Sequence, residues 1–321
     1  MGVAAKAGMK AIRLAHGAID TAVLAAVLLL IVVGCYAVWD SKQVHSRASA
    51  AKYAIYKPTD EVGKLSFEEL REINPEVFAW LTVYGTNIDY PVTYCLDNNM
   101  KYISTDAMGR YSMSGSIFLD NKCSPGFADF SSILHGHHME RRTMFGELGF
   151  FAERSYFDAR QYGMLYYGGQ AHGLEFFAFV HTSAYDGKIY KAGLTGQEER
   201  SAYLGLLLAR AIHTRGIQVT ADDKIVLLTT CSAASTNGRD ILVGKITDEL
   251  HEDPFETEKP NNAITLAVDR LPGLWAQAPL WAKIGLISLL LLCLLLLLFL
   301  IIRTTKRKHT KKLPDKGDKR K

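Results

Sequence analysis

Residues 224–246 read KIVLLTTCSAASTNGRDILVGKI: two apolar runs rich in β-branched residues, joined by a small polar loop. The first run, Ile225–Thr230, is too short for a typical helix and predicts a buried strand that ends at Cys231. The loop closes on Asn237 and Gly238, a dipeptide that easily takes positive φ. The stretch therefore predicts two neighbouring strands with a cysteine at the end of the first.

The second run, Ile241–Ile246, begins just after Arg239. A hairpin-like connection between the two runs places Cys231 and Arg239 opposite each other. A thiol needs a nearby cation to become a thiolate, and acyl transfer needs a positive donor for the developing oxyanion. This arrangement supplies both. The alternative for Arg239 is a surface ion pair with Asp240 or Asp120.

Residues 132–144, SILHGHHMERRTM, contain three histidines, His135, His137 and His138. On a strand, the first two share a face and the third points the other way. An imidazole can form an ion pair with a thiolate and later protonate a leaving amine. The cluster also suggests a metal site, but no acidic or cysteine side chain is spaced to complete a tetrahedral set of ligands. His181, inside another apolar run, is expected to be a hydrogen-bonded structural residue.

Two motifs together resemble those of the sortases, the membrane-anchored cysteine transpeptidases of Gram-positive bacteria. One is LLTTC at 227–231, with an arginine eight residues after its cysteine. The other is GHHM at 136–139, followed by MFGEL at 144–148. The resemblance covers roughly residues 65–248.

The resemblance implies three catalytic residues and neither a metal nor an organic cofactor. These residues are His137 as acid and base, Cys231 as nucleophile and Arg239 as oxyanion donor. Thr230 and Ser232 flank the nucleophile and are expected to contact the substrate. Leu227 stands where the T-L-x-T-C motif of the family usually has threonine, whereas the T-C end of the motif is kept.

Several short strands with frequent turns predict a mostly β fold, a closed antiparallel barrel with peripheral helices. Further strands are predicted at Ala79–Val83, Ile88–Tyr94, Ser116–Asp120, Ser132–His137 and Leu174–Thr182. Helices are predicted at Phe67–Ile73, which follows a capping box, at Met144–Phe151 and at Thr195–His213. The run LREINPEVFAWLTVYGTNIDYPV at 70–92, and the last of these helices, resemble class B sortases. The catalytic domain is therefore expected to be a sortase-type barrel over residues 65–257.

The chain starts with a short basic leader, residues 1–16, and an almost wholly apolar stretch, residues 17–38. As a helix this stretch is about 33 Å long, enough to cross a bilayer. We predict a permanent anchor. The alternatives are a cleaved signal peptide and a lipidated Cys35, since VVGC at 32–35 loosely resembles a lipoprotein box. Residues 39–64 are polar and predict an extracellular spacer.

A Leu-rich run at 284–302 predicts a second transmembrane helix, after a juxtamembrane segment at 258–283 and before a basic tail at 303–321. The net charge of +4 combines two basic ends with an acidic middle. The positive-inside bias then places both termini in the cytoplasm and the catalytic domain outside the cell. The acidic middle argues against nucleic acid as a partner. A second anchor resembles the pilus-assembling class C sortases.

The other four of the five cysteines have no predicted part in the chemistry. Cys35 and Cys293 lie in the apolar segments, where a small polarizable residue is unremarkable. Cys95 and Cys123 belong to the outward-facing domain, which permits a disulfide between them, but nothing in their spacing requires one.

By resemblance, the enzyme cleaves a C-terminal sorting signal of secreted proteins through a thioester on Cys231 and transfers the acyl group to an amine. The principal expectation is attachment to a cell-wall peptide amine, and the alternative is pilin polymerisation through a lysine. Two other classes remain open: a two-anchor membrane protein that only binds a partner, and a hydrolytic cysteine peptidase. The loops near 158–173 and 184–193 are expected to set specificity.

Overall fold

The computed structural model describes residues 3–58, 66–231 and 237–255. The four α-helices of these residues are α1 Val3–Ala48, α2 Phe67–Ile73, α3 Arg154–Ala159 and α4 Gln197–Arg210. The strands are β1 Val77–Val83, β2 Asp89–Thr93, β3 Ile117–Leu119, β4 Ser131–His135, β5 Tyr162–Tyr167, β6 Gln170–Ser183, β7 Ala211–Thr214, β8 Lys224–Cys231 and β9 Gly238–Thr247.

Eight of the strands close into a barrel in the order β5, β1, β2, β3, β4, β8, β9, β6, and β6 returns to pair with β5. The short β7 continues the edge of β6 beyond β5. The prediction of a closed, mostly β barrel is confirmed. Two pairs of neighbouring strands, β2 with β3 and β4 with β8, are parallel rather than antiparallel as predicted. Each of these parallel pairs is joined by a connection long enough for a crossover, as parallel strands require.

The barrel has two apolar faces because side chains alternate along each strand. Leu228 and Leu242 lie in the larger buried cluster, whereas Leu227 and Ile241 pack in a second cluster together with residues of α4. The second cluster covers the outer face of β8 and β9. Strand β8 is therefore packed on its outer face by the cluster that contains α4.

Helix α2 occupies the predicted residues and begins with the predicted capping box. The Ser66 side chain accepts from the backbone N–H of Glu69, and the Glu69 carboxylate accepts from the backbone N–H of Ser66. Two hydrogen-bond donors at the start of the helix are thereby satisfied, which is why the boundary could be predicted.

The prediction of a helix at Met144–Phe151 is wrong. Met144 has a φ of 52° and makes a β-bridge with His138, and only Leu148–Ala152 forms a 3₁₀ turn. Gly146 explains the local bend, because a Cβ there would lie 2.1 Å from the carbonyl oxygen of Met139. The helix predicted at Thr195–His213 is α4, which ends earlier, at Arg210, because the chain forms β7 from Ala211 onward.

Helix α1 contains a candidate membrane span, Ala15–Trp39, that is long and apolar enough to cross a bilayer. The helix continues to Ala48, so the first part of the predicted spacer is helical. Residues 48–56 then pack on the barrel, and Tyr53 and Tyr56 are buried in its main core. The second predicted anchor at 284–302, the juxtamembrane segment and the basic tail lie outside the described residues.

Candidate active site

Cys231 is the last residue of β8, and Arg239 is the second residue of β9. The two form a register pair in the antiparallel ladder between these strands, as the hairpin prediction requires. The Cys231 side chain is exposed, so a substrate can reach it. Ser232, the predicted substrate contact after the nucleophile, lies outside the described residues.

The guanidinium of Arg239 donates to the carbonyl of Gly238 at 3.0 Å. Neither predicted ion-pair partner takes it: Asp240 binds His181 at 2.8 Å, and Asp120 binds His135 at 3.1 Å. Within residues 3–58, 66–231 and 237–255, no carboxylate forms an ion pair with Arg239. The cation therefore keeps donors for a ligand at the mouth of the hairpin.

His137 lies just beyond β4, which ends at His135. The prediction of a strand through His137 is therefore wrong, and the two histidines do not share a strand face. The Nε2 of His137 is 2.8 Å from the carbonyl oxygen of Ile103. A carbonyl only accepts, so Nε2 carries a hydrogen and Nδ1 is the nitrogen available for proton transfer.

The backbone around His137 is held by the loop that follows it. The N–H of Phe145 donates to the carbonyl of His137 at 3.0 Å. Gly136 lies against the buried ring of Phe145, where a Cβ would come within 2.6 Å of the ring. Glycine is needed there because the loop folds back onto the end of β4.

A pocket of about 320 Å³ brings these groups together. The residues that line it are Asn99, Met100, Ile103, Phe118, Asp120, Lys122, Ile133, His135, Gly136, His137, Ala184, Tyr190, Ala192, Thr229, Thr230, Cys231 and Arg239. The predicted His137, Cys231, Arg239 and Thr230 are all among them. Residues 184–193 contribute to the wall as expected, whereas none of residues 158–173 does.

Thr230 lines the pocket, but its side chain follows the strand alternation to the other face from that of Cys231. Its Oγ1 is buried and has no hydrogen-bond partner in the part of the chain that the structure describes. Any contact that Thr230 makes with a substrate from this position is therefore expected to come from its backbone.

Asp120 and Tyr190 also line the pocket, although neither is among the predicted site residues. Burial disfavours the charged form of Asp120, but hydrogen bonds from His135, the Lys122 N–H and Asn99 outweigh it and lower the pKa to about 2. Tyr190 bonds Thr229 through its hydroxyl at 2.8 Å, and burial raises its pKa. The strand ending SIFLD was the only signal for Asp120.

The histidine cluster and the two cysteines of the barrel domain are the other side chains with metal-binding or redox chemistry. No group of three or more His, Cys, Asp or Glu side chains in the described residues is placed to hold a metal ion. Cys95 and Cys123 are both free thiols. Burial raises the pKa of Cys123 to about 11, so this thiol is protonated and inert at neutral pH.

No family model matches the chain. A crystal structure of sortase B from the type II pilus of Streptococcus pneumoniae is 44% identical, with 57% of this chain and 99% of that chain covered and a TM-score of 0.50. The chain belongs to the sortase family. A Streptococcus pyogenes class B sortase involved in pilus biogenesis is 35% identical to this sortase, over 56% of this chain and 97% of the other, with a TM-score of 0.51.

Curated and ligand-bound relatives agree with this placement. Sortase B of Listeria monocytogenes is 25% identical over 209 residues, which is 64% of this chain and 82% of the relative. Staphylococcus aureus sortase B in complex with a substrate is 27% identical, over 57% of this chain and 84% of that chain, with a TM-score of 0.53. A sortase B complexed with triglycine is 25% identical, over 57% of this chain and 85% of that chain, also with a TM-score of 0.53. The catalytic domain of this sortase is therefore class B-like.

Proposed function

We propose that this sortase is a membrane-anchored transpeptidase that cleaves a C-terminal sorting signal and passes the acyl group to an amine. The observation that carries the proposal is the register pair of Cys231 and Arg239 in a pocket that His137 also lines. The thiolate of Cys231 attacks the carbonyl carbon of a peptide bond in the signal. The product of this half-reaction is a thioester on Cys231.

His137 protonates the amine that leaves when the peptide bond breaks. Because Nε2 donates to Ile103, Nδ1 of the imidazolium carries the proton to be given up. In the second half-reaction the same nitrogen accepts a proton from the incoming amine, which regenerates the starting pair. General acid–base groups contribute roughly 10²–10⁴-fold to the rate of such steps.

Arg239 stabilises the oxyanion that forms during attack. Its guanidinium lies across the ladder from the nucleophile and has no carboxylate partner in the described ranges, so its charge is available to the developing anion. Loss of one oxyanion donor typically costs about 2.7–4 kcal/mol in activation free energy. Arg239 is thus expected to act mainly on the rate of acyl transfer.

Substitution of Cys231 by alanine tests the proposal. Wild-type enzyme incubated with a peptide library is expected to gain the mass of an acyl fragment on Cys231, and the Cys231→Ala variant to gain none and form no product. If the variant still makes product, the enzyme is not a Cys231 transpeptidase. The chain is a binding module if the wild type forms no adduct and the Cys231→Ala variant still binds its partner unchanged. Release of free carboxylate despite abundant amine indicates a peptidase.

Two acceptor amines are possible for the thioester, a pilin lysine and a cell-wall peptide amine. Identity is higher to the two pilus-associated sortases, 44% and 35%, than to the sortase B complexed with triglycine, 25%. This difference favours a pilin lysine over a cell-wall peptide amine. Competition between a lysine side-chain amine and a peptide α-amine for the same thioester decides between them, since the preferred acceptor gives the larger share of product.

The candidate span in α1 supports the proposed anchoring. Its 25 residues are mostly apolar, with His16 and Asp20 as exceptions near the start, and they lie unburied and close to the N-terminus. We propose that α1 crosses the cell membrane with the basic leader inside and the catalytic domain outside. A second anchor at 284–302 remains part of this proposal, and protease protection of both ends in intact cells is the measurement that tests it.

A further inference from the structure

The end of α1 is bonded to the barrel rather than separated from it by a free linker. Ala48, its last residue, is buried, and its carbonyl accepts a hydrogen bond from the hydroxyl of Tyr90 at 2.8 Å. Four residues later, Lys52 forms an ion pair with Asp106 at 2.6 Å. The nine residues from 40 to 48 add about 14 Å of helix between the candidate membrane span and this contact.

The hydroxyl of Tyr90 also holds the loop that follows β4. It accepts a hydrogen bond from the backbone N–H of Met144 at 3.0 Å. Tyr90 is buried in β2, and burial raises its pKa, so the hydroxyl stays protonated and can donate to Ala48 while it accepts from Met144. One atom therefore joins the end of α1 to this loop.

Met144 has a backbone conformation that its surroundings must maintain. Its φ of 52° lies in the left-handed region, which a residue with a long side chain rarely occupies and which persists only where neighbouring contacts enforce it. The β-bridge to His138 and the hydrogen bond to Tyr90 both hold it there. The next residue, Phe145, donates to the carbonyl of His137.

We propose that Tyr90 is a positioning residue for His137. Its hydroxyl ties Met144 to the end of α1, Phe145 follows Met144 directly, and the N–H of Phe145 fixes the backbone of His137. The orientation of the imidazole then depends on the docked end of the membrane-proximal helix. This inference rests on the proposed function, in which His137 transfers the proton.

The test is Tyr90→Phe in the full chain in phospholipid nanodiscs, which removes the hydroxyl and keeps the ring. The assay uses the peptide selected from the library as donor and hydroxylamine as acceptor. We expect kcat to fall roughly tenfold with KM changed less than about twofold, because a misplaced acid slows proton transfer but leaves substrate binding intact. The amides of Met144 and Phe145 are expected to exchange faster with deuterium.

Thr93→Val is the matched control. Thr93 lies in the same strand, and its buried hydroxyl donates to the carbonyl of Ile117 at 3.1 Å without contacting the loop or α1. This variant is expected to keep kcat and the exchange rates at Met144 and Phe145. If both variants lower kcat equally, or if Tyr90→Phe changes only KM, the proposal is overturned.

Two further variants complete the design. If Tyr90→Phe does not fold, Lys52→Met weakens the docking of the same segment by removing its ion pair with Asp106. This variant must lower kcat more than KM, and an unchanged kcat overturns the proposal. Cys231→Ala separates the two claims. An inactive Cys231→Ala beside a fully active Tyr90→Phe overturns only the positioning role, whereas an active Cys231→Ala overturns the proposed function.

Discussion

At the scale of single residues, the candidate site is notable for the partners of its two carboxylates, Asp120 and Asp240. Asp240 is bonded to His181 and Asp120 to His135, so neither carboxylate neutralises Arg239. A cation without a carboxylate partner costs little at a half-exposed position and is ready to receive an anion. The arrangement suits a group whose partner, the oxyanion, exists only during the reaction.

We expect Arg239→Ala to lower kcat for acylation by about 100- to 1000-fold, because an oxyanion donor is lost. Arg239→Lys keeps the charge but loses the planar fork, so an intermediate loss is expected. The measurement is the rate of thioester formation on Cys231 by mass spectrometry. Arg154→Ala breaks an exposed pair with Asp158 on α3 and is expected to leave this rate unchanged. A rate for Arg239→Ala that stays close to that of the wild type contradicts the assigned role.

At the scale of elements, the segment between β4 and α3 controls the position of His137. The segment is irregular because Gly136 and Gly146 lie in close contact with neighbouring parts of the loop. Arg142 and Met144 in it have positive φ. The sequence MFGELGFF reads as a helix because its apolar spacing is helical. The close approach of Gly146 to Met139 overrides that pattern, and only the tertiary structure shows this approach.

Gly136→Ala tests how tightly this segment holds His137. The new methyl group meets the buried ring of Phe145, and overpacking of this kind costs about 1–3 kcal/mol in stability. Because this segment holds His137, kcat is expected to fall as well. Removing the ring, in Gly136→Ala with Phe145→Leu, is expected to recover part of both. Thermal unfolding and steady-state kinetics measure the two effects.

Gly205→Ala in α4 is the control for this pair, because nothing lies within 4 Å of a Cβ at that position. It is expected to raise stability by about 0.5–1 kcal/mol through helix propensity and to leave kcat unchanged. If Gly136→Ala behaves like Gly205→Ala, the contact with Phe145 does not position His137.

At the scale of the whole molecule, Asp120 joins parts of the chain that are distant in sequence. It lies just after β3 and bonds His135 at the end of β4 and Asn99 in the β2–β3 connection. Its pKa falls from an ordinary 3.8 to about 2 on folding. The carboxylate therefore stabilises the fold above about pH 4, and this stabilisation is lost as the pH falls through about 2.

We expect Asp120→Asn to lower the free energy of unfolding by roughly 2 kcal/mol at pH 6, at 1.36 kcal/mol per pKa unit. The difference from the wild type should shrink by about half at pH 3, where the unfolded carboxylate is mostly protonated. Urea unfolding in detergent at the two pH values measures it. Asp222→Asn, at an exposed site, is expected to change neither value. A difference for Asp120→Asn that does not vary with pH contradicts the assignment.

The sequence by itself determined the β8–β9 pair, the capped helix α2, the barrel class and the choice of three residues that the structure brings to one pocket. Each of these depends on local signals: alternation and run length, capping chemistry, and motifs read a few residues at a time. The candidate span in α1 is of the same kind, since length and apolarity suffice for it.

Only the tertiary structure decided which strands are parallel, where β4 ends, and what holds His137. The Ile103 carbonyl, the Tyr90 hydroxyl and the Asp120 carboxylate reach the site from segments 15 to 54 residues away from their partners. Contacts over such separations leave no period or spacing in the sequence, because chain closure rather than local geometry brings them together. The docking of α1 on the barrel has the same cause.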